Sequence, residues 1–493
     1  MNGSAPTIPR IRTRAGRIEA LAKPLVRSRL LLTLVLWICC TPVVAEDEPP
    51  QIRNVLFLVS DDLKASVLGC YGDDVANTPN IDRLAREGVV FRSAYCQGTV
   101  CAPSRISFMY SRYRGSRGET IGEHLQDHGL YTARVGKIFH MKVPGDIIAG
   151  TNGRDVPECW TERFNSPGLE AHTPGEYACL NLNIFTTDLE GRQSTAMPHR
   201  MFVSVRYDGD GSDQPDHKSA TKAIELLRQH RNEPFFLAVG FVRPHYPMVA
   251  PQQYFAQYDW QQIQLPEVVE GDLDDIPPQG IPRSISSRNG IDRYPDNQKR
   301  MWEAYNASVT FMDDQVGRVL DELERLGLRE STAIVFTSDH GYHLGEHTFW
   351  LKNNLHEEVI RVPLVMSVPG YEPGESDSIV ELVDIAPTLC DLLGLPVPES
   401  MQGVSLVPVL KNKSATVKEG ALSFAGGTSW RTDDWAYMRY NDSAEELYDM
   451  KADPKQFTNL AGDPQHQAAR ERLAGELTSR LRAVGLEEKA GRR

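Results

Sequence analysis

Five short apolar segments, each followed by polar residues or a turn, constrain the fold of this chain more than any other feature. Such nearly continuous apolar runs are typical of strands buried on both faces of a parallel sheet. Parallel strands need helical crossovers, so the pattern predicts an α/β fold with a large, mostly parallel sheet. The segments are NVLFLVS (54–60), YTARVG (131–136), PFFLAVGFV (234–242), STAIVFTS (331–338) and VPLVMSV (362–368).

Helical patterns alternate with these segments. In TPNIDRLAREG (78–88), Thr78 is the predicted N-cap, Pro79 fits the first turn and Gly88 ends the helix. Helices are also predicted over GETIGEHLQDHG (118–129) and over 297–327, where apolar residues recur every three or four positions. The alternation places helices on both faces of the sheet.

The C-terminal part follows a different pattern. Residues 420–450 predict short antiparallel strands, and 464–485 predict a terminal helix, so a smaller subdomain is expected over 405–493 after a main domain over 46–404. Residues 145–217 and 246–296 lack periodicity and are expected to form irregular segments that shape a cleft.

The N-terminus predicts export. Seven Lys and Arg and one acid, Glu19, precede an apolar run over 30–45, which is short for a membrane span and ends in small residues. We expect residues 1–45 to be a signal peptide that directs the protein to a periplasmic, secreted or lumenal location, without stable membrane insertion after cleavage; a retained anchor is the alternative.

Charge and cysteine content narrow the function further. Removal of residues 1–45 would change the formal net charge from −13 to −19, which argues against a nucleic-acid partner. Disulfides are compatible with export. Cys159 and Cys179 flank a segment rich in Gly, Pro and Asn and are a possible disulfide pair.

Polar side chains follow four of the five predicted strands. Asp61 and Asp62 follow the first, Lys137 and His140 the second, His245 the third, and Asp339 and His340 the fourth. If these strands are parallel neighbours, their polar ends meet at one edge of the sheet. Ligands bind at that edge in open α/β folds.

The segment GTVCAPSRISF raises the question of what Cys101 does. It could be a small buried hydrophobe, half of a disulfide or a reactive centre. Pro103 fits the first turn of a helix, which places Cys101 near a helix N-terminus, where anions are favoured. The surrounding candidates are carboxylates, which suit a hard cation, and Lys, Arg and His, which suit a tetrahedral anion.

Cys-x-Pro-Ser-Arg over 101–105 resembles the signature of the sulfatase family. The resemblance extends over LVSDDL, TPNIDRLAREG, GKIFH, RPHYP, FTSDHGYHLGEH, VELVDIAPTL and EELYDMKADPKQFTNLA. GKIFH, RPHYP, DDQVGRVLDEL and SDHG followed by LGEH and WLK look most like the iduronate 2-sulfatase branch. One departure is Tyr110–Ser111, where sulfatases usually have Thr-Gly.

The resemblance implies an alkaline-phosphatase-like sandwich and hydrolysis of sulfate esters on a sulfated carbohydrate. In the family the cysteine matching Cys101 is oxidised by a formylglycine-generating enzyme, and the hydrated aldehyde is the nucleophile. Asp61, Asp62, Asp339 and His340, with the group at Cys101, would hold one Ca²⁺, with Mg²⁺ as the alternative. Hard oxygen ligands suit either ion.

The remaining roles follow from the same resemblance and from the chemistry. Arg105 would orient the formylglycine and neutralise carboxylates, and Lys137 and Lys352 would contact sulfate oxygens. His140 would help to remove a proton from the diol, and His245 would protonate the leaving alcohol. A single Lys or His at such a position is usually solvated or packed, so it is their joint match in family order that supports these roles.

Three alternatives stay open at this point. A phosphodiesterase or phosphonate monoester hydrolase could use the same fold, and an unmodified Cys101 could leave a non-catalytic protein that binds sulfated glycans. His343, Glu346 and His347 could indicate a zinc cluster, but a structural role in a loop is favoured because the carboxylates already account for a metal.

Overall fold

An eight-stranded sheet forms the centre of the computed structural model, which describes residues 51–192 and 201–486. β4, β9, β1 and β11 are parallel neighbours, as predicted, so their carboxyl ends meet at one edge. In spatial order the strands are β15 (Gly374–Ser376), β2 (Val89–Phe91), β14 (Leu364–Ser367), β11 (Thr332–Ser338), β1 (Asn54–Asp61), β9 (Phe235–Pro244), β4 (Tyr131–Gly136) and β5 (Glu162–Phe164).

The fifth predicted strand, β14, runs antiparallel to β11. Its carboxyl end therefore does not lie at the edge shared by the four parallel strands. The connection from β11 to β14 contains only one short helix, α9 (Glu357–Ile360), and antiparallel neighbours do not need a long helical crossover.

Two apolar layers sandwich the sheet. Along β1, Leu56 and Leu58 face one layer, while Val55, Phe57 and Val59 face the other. The first layer contains α1 (Pro79–Arg86), α5 (Pro215–His230) and α8 (Pro295–Arg325). The second contains α2 (Cys101–Tyr110), α3 (Ile121–Asp127), α10 (Ile385–Leu392) and α11 (Val407–Lys411). Helices therefore cover both faces, as predicted.

The predicted helices α1, α3 and α8 are confirmed, and Thr78 is the N-cap residue of α1, as predicted, although its side chain makes no capping bond. Thr78 precedes α1, yet its hydroxyl accepts a hydrogen bond from the Gly69 N–H and lies 3.3 Å from an Asp82 oxygen instead of capping the helix. At α3, Thr120 and Glu123 form a capping box. The remaining short helices are α4 (Gly145–Ala149), α6 (Gln252–Phe255) and α7 (Ser286–Asn289).

A second sheet occupies much of the region predicted to be irregular. Its strands are β10 (Met248–Pro251), β8 (Val203–Tyr207), β6 (Glu176–Cys179) and β7 (Ile184–Thr186), in that order. Each has three to five residues, too few to show a periodic pattern. Two further strand pairs are β3 (Ala94–Tyr95) with β16 (Val380–Glu381), and β12 (His343–Leu344) with β13 (Trp350–Leu351).

The C-terminal region contains the predicted antiparallel sheet and helix. Leu473, Leu477 and Leu481 of the terminal helix pack against the sheet. The Phe424 N–H donates to the carbonyl of Gln97, which joins this sheet to the segment preceding α2. The elements are β17 (Gly420–Phe424), β18 (Gly427–Thr432), β19 (Trp435–Tyr440), β20 (Glu445–Asp449) and α12 (Gln467–Ala483). The domain boundary at 405 stays a prediction.

The possible Cys159–Cys179 disulfide is not formed, and both side chains are buried. The Cys159 sulfur lies 3.2 Å from the Thr120 hydroxyl, and the Cys179 sulfur lies 3.5 Å from the Asn181 amide oxygen. The predicted signal peptide, residues 1–45, lies outside the described residues. In the described ranges, no helix has the length and apolar character needed to span a membrane.

Candidate active site

The site lies at the carboxyl edge of the central sheet, where α2 begins. Cys101 is the first residue of α2 and is only 4% exposed. Its Sγ lies 3.2 Å from Lys352 Nζ, 3.5 Å from His340 Nε2, and 4.0 Å from both Asp62 Oδ1 and Lys137 Nζ. The structure therefore brings side chains from four separate segments to one thiol.

The turn after β1 separates two adjacent carboxylates. Asp62 has a φ of 66°, in the left-handed region that is unusual for a residue with a side chain. Tyr305 of α8 donates to the Asp62 carbonyl at 2.7 Å and accepts from the Lys64 N–H at 3.0 Å. The tyrosine thus fixes the backbone that carries Asp61 and Asp62, a role that the sequence did not reveal.

Lys137 is positioned by two glycines. Gly136 has a φ of 70°, and a Cβ there would lie 2.2 Å from the Gly240 carbonyl oxygen. A Cβ on Gly240 would lie 2.0 Å from the Lys137 carbonyl oxygen. The ends of β4 and β9 can approach this closely only without side chains. The approach directs the buried Lys137 ammonium to Asp61, with which it forms an ion pair.

Arg105 is completely buried and makes five hydrogen bonds from its guanidinium group. Nε donates to Asp339 Oδ2 at 2.8 Å, and Nη2 donates to Asp61 Oδ1 at 3.1 Å. The other bonds go to the carbonyl oxygens of Ser60, Lys137 and Ile138. Arg105 therefore joins α2 to the ends of three strands. These bonds engage every nitrogen of the guanidinium, so Arg105 acts through the carboxylates rather than on a substrate.

Three histidines surround the carboxylates. His340 Nδ1 lies 2.9 Å from the Gly341 carbonyl, so it carries the proton and leaves Nε2 free to bind a cation beside Cys101. His245 Nδ1 lies 2.6 Å from the Tyr246 carbonyl, and its Nε2 lies 3.7 Å from Asp62 Oδ2. His140 lies further along the loop after β4; burial, followed by the charge of Lys137, lowers its pKa to about 4.

The charged side chains of the site shift one another's pKa values. Burial alone would raise the pKa of Asp61, but the charges of Lys137, His245 and Arg105 outweigh it and hold that pKa well below its ordinary range. The pKa of Asp62 is also lowered, because His245 and Lys352 oppose the effect of burial. Burial alone would lower the pKa of Lys352, but Asp62 raises it well above the usual value. Both carboxylates are therefore ionised at neutral pH.

The donor set fits a hard divalent cation. Asp62 Oδ2 is buried and has no hydrogen-bond partner among the described residues, which is costly for a carboxylate oxygen unless a cation binds it. Among the residues that the structure describes, two groups of donor atoms lie close enough together to hold an ion, and both include Cys101. They are Asp61, Asp62, Cys101 and His245, and Cys101, Asp339 and His340.

A family model described as Sulfatase matches residues 53–395, well over half of the chain. The chain belongs to the sulfatase family. A second model, described as the C-terminal region of N-sulphoglucosamine sulphohydrolase, matches residues 345–483 and so includes the C-terminal sheet of this sulfatase. Membership makes the protein a sulfuric ester hydrolase with an alkaline-phosphatase-like fold.

Individual relatives agree with this assignment. A sulfatase of Formosa agariphila is 30% identical over 88% of this chain and 88% of its own length. Human iduronate 2-sulfatase is 34% identical over 76% of this chain and 75% of its own. Among solved structures, the phosphonate monoester hydrolase of Silicibacter pomeroyi has a TM-score of 0.71 at 20% identity, covering 87% of this chain and 95% of that one, which shows a shared fold.

The departure at Tyr110–Ser111 has a local explanation in this sulfatase. Ser111 ends α2 in the left-handed conformation, with a φ of 49°, where glycine would be unstrained. Its hydroxyl donates to the Val383 carbonyl at 2.6 Å and accepts from the Gly403 N–H at 3.0 Å. These two hydrogen bonds offset the strain of the left-handed conformation. The helix that carries Cys101 can therefore end at Ser111 without a glycine.

The backbone of the loop that carries Lys352 is strained. Four of its non-glycine residues have positive φ values: His347, Thr348, Leu351 and Asn353. Buried histidines support it. His347 Nδ1 lies 2.9 Å from Asp272, and His356 Nε2 lies 3.1 Å from Glu446 of the C-terminal sheet. Strain at a functional position needs such support from the surrounding structure.

The possible zinc ligands in this loop have other partners. Glu346 forms an ion pair with Lys64, and His343 Nε2 lies within hydrogen-bonding distance of the Asn354 side chain. His347 is paired with Asp272, as described above. His343, Glu346 and His347 do not belong to either donor group found within the described part of the chain. Their contacts favour the structural role.

Proposed function

We propose that this sulfatase removes sulfate from a sulfated carbohydrate, with a formylglycine at position 101 and one bound Ca²⁺ or Mg²⁺. The observation that carries the proposal is the surrounding of Cys101 by two lysines, a histidine and a carboxylate within 4.0 Å. The 34% sequence identity with human iduronate 2-sulfatase supports a sulfated uronate sugar as the substrate.

The protein's own cations would bind the sulfate group. Lys352 Nζ and Lys137 Nζ lie 3.2 and 4.0 Å from Cys101 Sγ, whose place the formylglycine oxygens would take in the processed protein. A divalent ion held by Asp61, Asp62, Asp339 and His340 would supply additional positive charge beside the nucleophile and the sulfate. Removing one contact to such a developing charge typically reduces the rate about 10²- to 10³-fold.

Two histidines would move protons. Because burial and Lys137 lower the pKa of His140 to about 4, its imidazole is neutral near pH 7 and able to accept a proton from the diol. His245 contacts the Tyr246 carbonyl through Nδ1, so Nε2 donates a proton only when the ring is cationic. His245 Nε2 lies 3.7 Å from Asp62 Oδ2, at the edge of the site where a leaving alcohol would lie.

Export completes the proposal. Residues 1–45 would direct the chain across a membrane as a signal peptide, and a formylglycine-generating enzyme would be a transient partner during maturation. Whole-protein mass analysis of the secreted or periplasmic fraction would test this. A mature N-terminus near residue 46 is expected, and an intact residue 1 on active protein would contradict export by cleavage.

The central test combines peptide mass with turnover. Formylglycine at position 101 lowers the peptide mass by about 18 Da relative to cysteine. Activity on sulfated saccharides should follow the converted fraction, and Cys101→Ala should abolish it, whereas the control Cys70→Ala should not. Active protein with an unmodified Cys101 would refute the mechanism.

Turnover and binding of different substrates test the two alternative functions, an ester hydrolase for phosphonates or phosphates and a non-catalytic glycan-binding protein. Turnover of a phosphonate or phosphate ester with a kcat/KM above that of every sulfate ester tested would favour the hydrolase represented by the Silicibacter pomeroyi structure. Natively produced protein that keeps an unmodified Cys101 and binds a sulfated glycan without cleaving it would instead indicate a binding protein.

A further inference from the structure

Arg300, in the second turn of α8, lies in a setting typical of anion recognition. Its guanidinium carbon lies 3.9 Å from the ring centroid of Trp260 and 5.9 Å from that of Phe185. Within the described ranges, its side chain makes no hydrogen bond and no salt bridge. Stacking on aromatic rings fixes the plane of a guanidinium and leaves its N–H groups free to bind a carboxylate or sulfate.

A cavity of about 360 Å³ lies beside Arg300. It is formed by the second sheet, α6 and the start of α8, and its size is within the range of small-ligand pockets. Phe185, which is 53% exposed, offers an uncovered aromatic ring at its wall. Sugar rings pack through their C–H faces on such aromatic surfaces, which bury apolar area at little conformational cost.

The residues that line the cavity include two carboxylates, Glu176 and Glu303, and two guanidiniums, Arg206 and Arg300. Glu303, which also lines it, is already paired with Arg206 at 2.9 Å, and the Arg206 guanidinium stacks over Phe255. Glu176 is exposed at the wall. Of these two cations, Arg300 is therefore the one whose N–H groups have no hydrogen-bond partner among the described residues.

The cavity lies at the same edge of the central sheet as the active site. Because α8 leads into the parallel strand β11, the start of α8 lies at the carboxyl edge of the sheet. Tyr305, which holds the Asp62 backbone, follows Arg300 by five residues, which is about 7.5 Å along the helix axis and about 140° around it, so the two side chains leave α8 on different faces. In the second sheet, Ser204 of the cavity pairs with Met248, three residues after His245.

We propose that this cavity is an accessory subsite that binds an anionic sugar unit, through its carboxylate or sulfate, next to the unit that loses its sulfate. Arg300 would bind the oxyanion, and Phe185 would pack on the sugar ring. The inference rests on the proposed function for its link to catalysis, whereas the binding site itself is independent of turnover.

Binding by the Arg300→Gln variant tests the proposal. Titration calorimetry on Cys101→Ala protein would use a tetrasaccharide that alternates uronate with sulfated hexosamine. The loss of one charge-assisted contact should weaken binding about tenfold or more. Arg293→Gln removes the same charge from an exposed position just before α8 and should bind like the parent. Equal affinity of Arg300→Gln and Arg293→Gln would overturn the proposal.

Two probes separate the sources of the anion. An unsulfated oligouronate presents only carboxylates, and a sulfated dextran oligomer presents only sulfates. The probe whose affinity depends on Arg300 identifies the group that is bound, and dependence in neither would count against the subsite. Phe185→Ala, at an exposed position, should also weaken saccharide binding without disturbing the fold. Unchanged affinity would refute the proposed packing of Phe185 on the sugar ring.

A small substrate distinguishes failure of the subsite from failure of the proposed function. On the otherwise native enzyme, Arg300→Gln should leave kcat/KM for an aryl sulfate unchanged while lowering it for the tetrasaccharide. Equal losses on both substrates would place the effect in the active site and refute the subsite. Binding that depends on Arg300 in a protein that desulfates neither would support the subsite and contradict the proposed function.

Discussion

Replacing Arg105 with glutamine should destabilise the protein strongly, because this side chain compensates two buried carboxylates. Asp61 and Asp339 each accept from its guanidinium, and three carbonyl oxygens accept its remaining hydrogen bonds. All three side chains are 0% exposed. Removal of one partner from a buried ion pair typically costs about 3–5 kcal/mol. The loss of stability should lie at the upper end of that range. Without Arg105, Lys137 still compensates Asp61, but Asp339 loses the cation with which it is paired.

The matched control is Arg83→Gln, which removes the same group from an exposed pair. Arg83 contacts Asp321 at 2.6 Å, but their side chains are 30% and 65% exposed. An exposed pair of this kind contributes about 0–1 kcal/mol. The free energy of unfolding would be measured by urea denaturation with tryptophan fluorescence, for both variants and the parent.

The measurement should be made with a chelator and again with Ca²⁺. Without the ion, the difference between Arg105→Gln and Arg83→Gln should exceed about 2 kcal/mol. With Ca²⁺, part of the loss should be recovered, because a bound cation compensates the same carboxylates. Equal destabilisation of both variants under chelation would refute the reasoning that Arg105 is the electrostatic centre of the site.

Three further substitutions test other parts of the site. Lys352→Met should lower kcat/KM for a sulfate ester roughly 10²- to 10³-fold; a loss below tenfold would exclude a direct sulfate contact. Glu446→Gln should raise KM, because the His356 contact at 3.1 Å supports the Lys352 loop; a change in stability alone would contradict this. Ser111→Gly should change the free energy of unfolding by less than about 1 kcal/mol, because relief of roughly 1–2 kcal/mol of strain offsets two lost hydrogen bonds. Destabilisation above 2 kcal/mol in urea denaturation would show that the hydroxyl bonds dominate.

The central strands could be predicted because each is a long apolar run between two packed layers. The direction of β14 could not, because a buried strand has the same composition in either orientation. The second sheet was missed because strands of three to five residues are shorter than any window that reveals a period. Hydrophobic patterns in the sequence therefore predict the central sheet better than they predict the second sheet.

A similar division applies to the site. Asp61, Lys137 and Asp339 directly follow predicted strands, so parallel pairing alone brings them together. Tyr305 lies within a long helix at the same spacing as the residues that pack in the core, and nothing local marks its hydroxyl as a partner of the Asp62 backbone. Glu446 reaches the Lys352 loop from a distant strand, which only the folded chain reveals.

The charge balance of the site favours one divalent ion over two. Arg105, Lys137 and Lys352 contribute three positive charges, which equal the three negative charges on Asp61, Asp62 and Asp339. One divalent ion and a singly charged sulfate ester would add a net single positive charge, which deprotonation of the nucleophile would remove. A second divalent ion would leave two further positive charges in a buried site, where uncompensated charge is costly. The positive charges of Arg105, Lys137 and Lys352 therefore support the proposed single divalent ion rather than two.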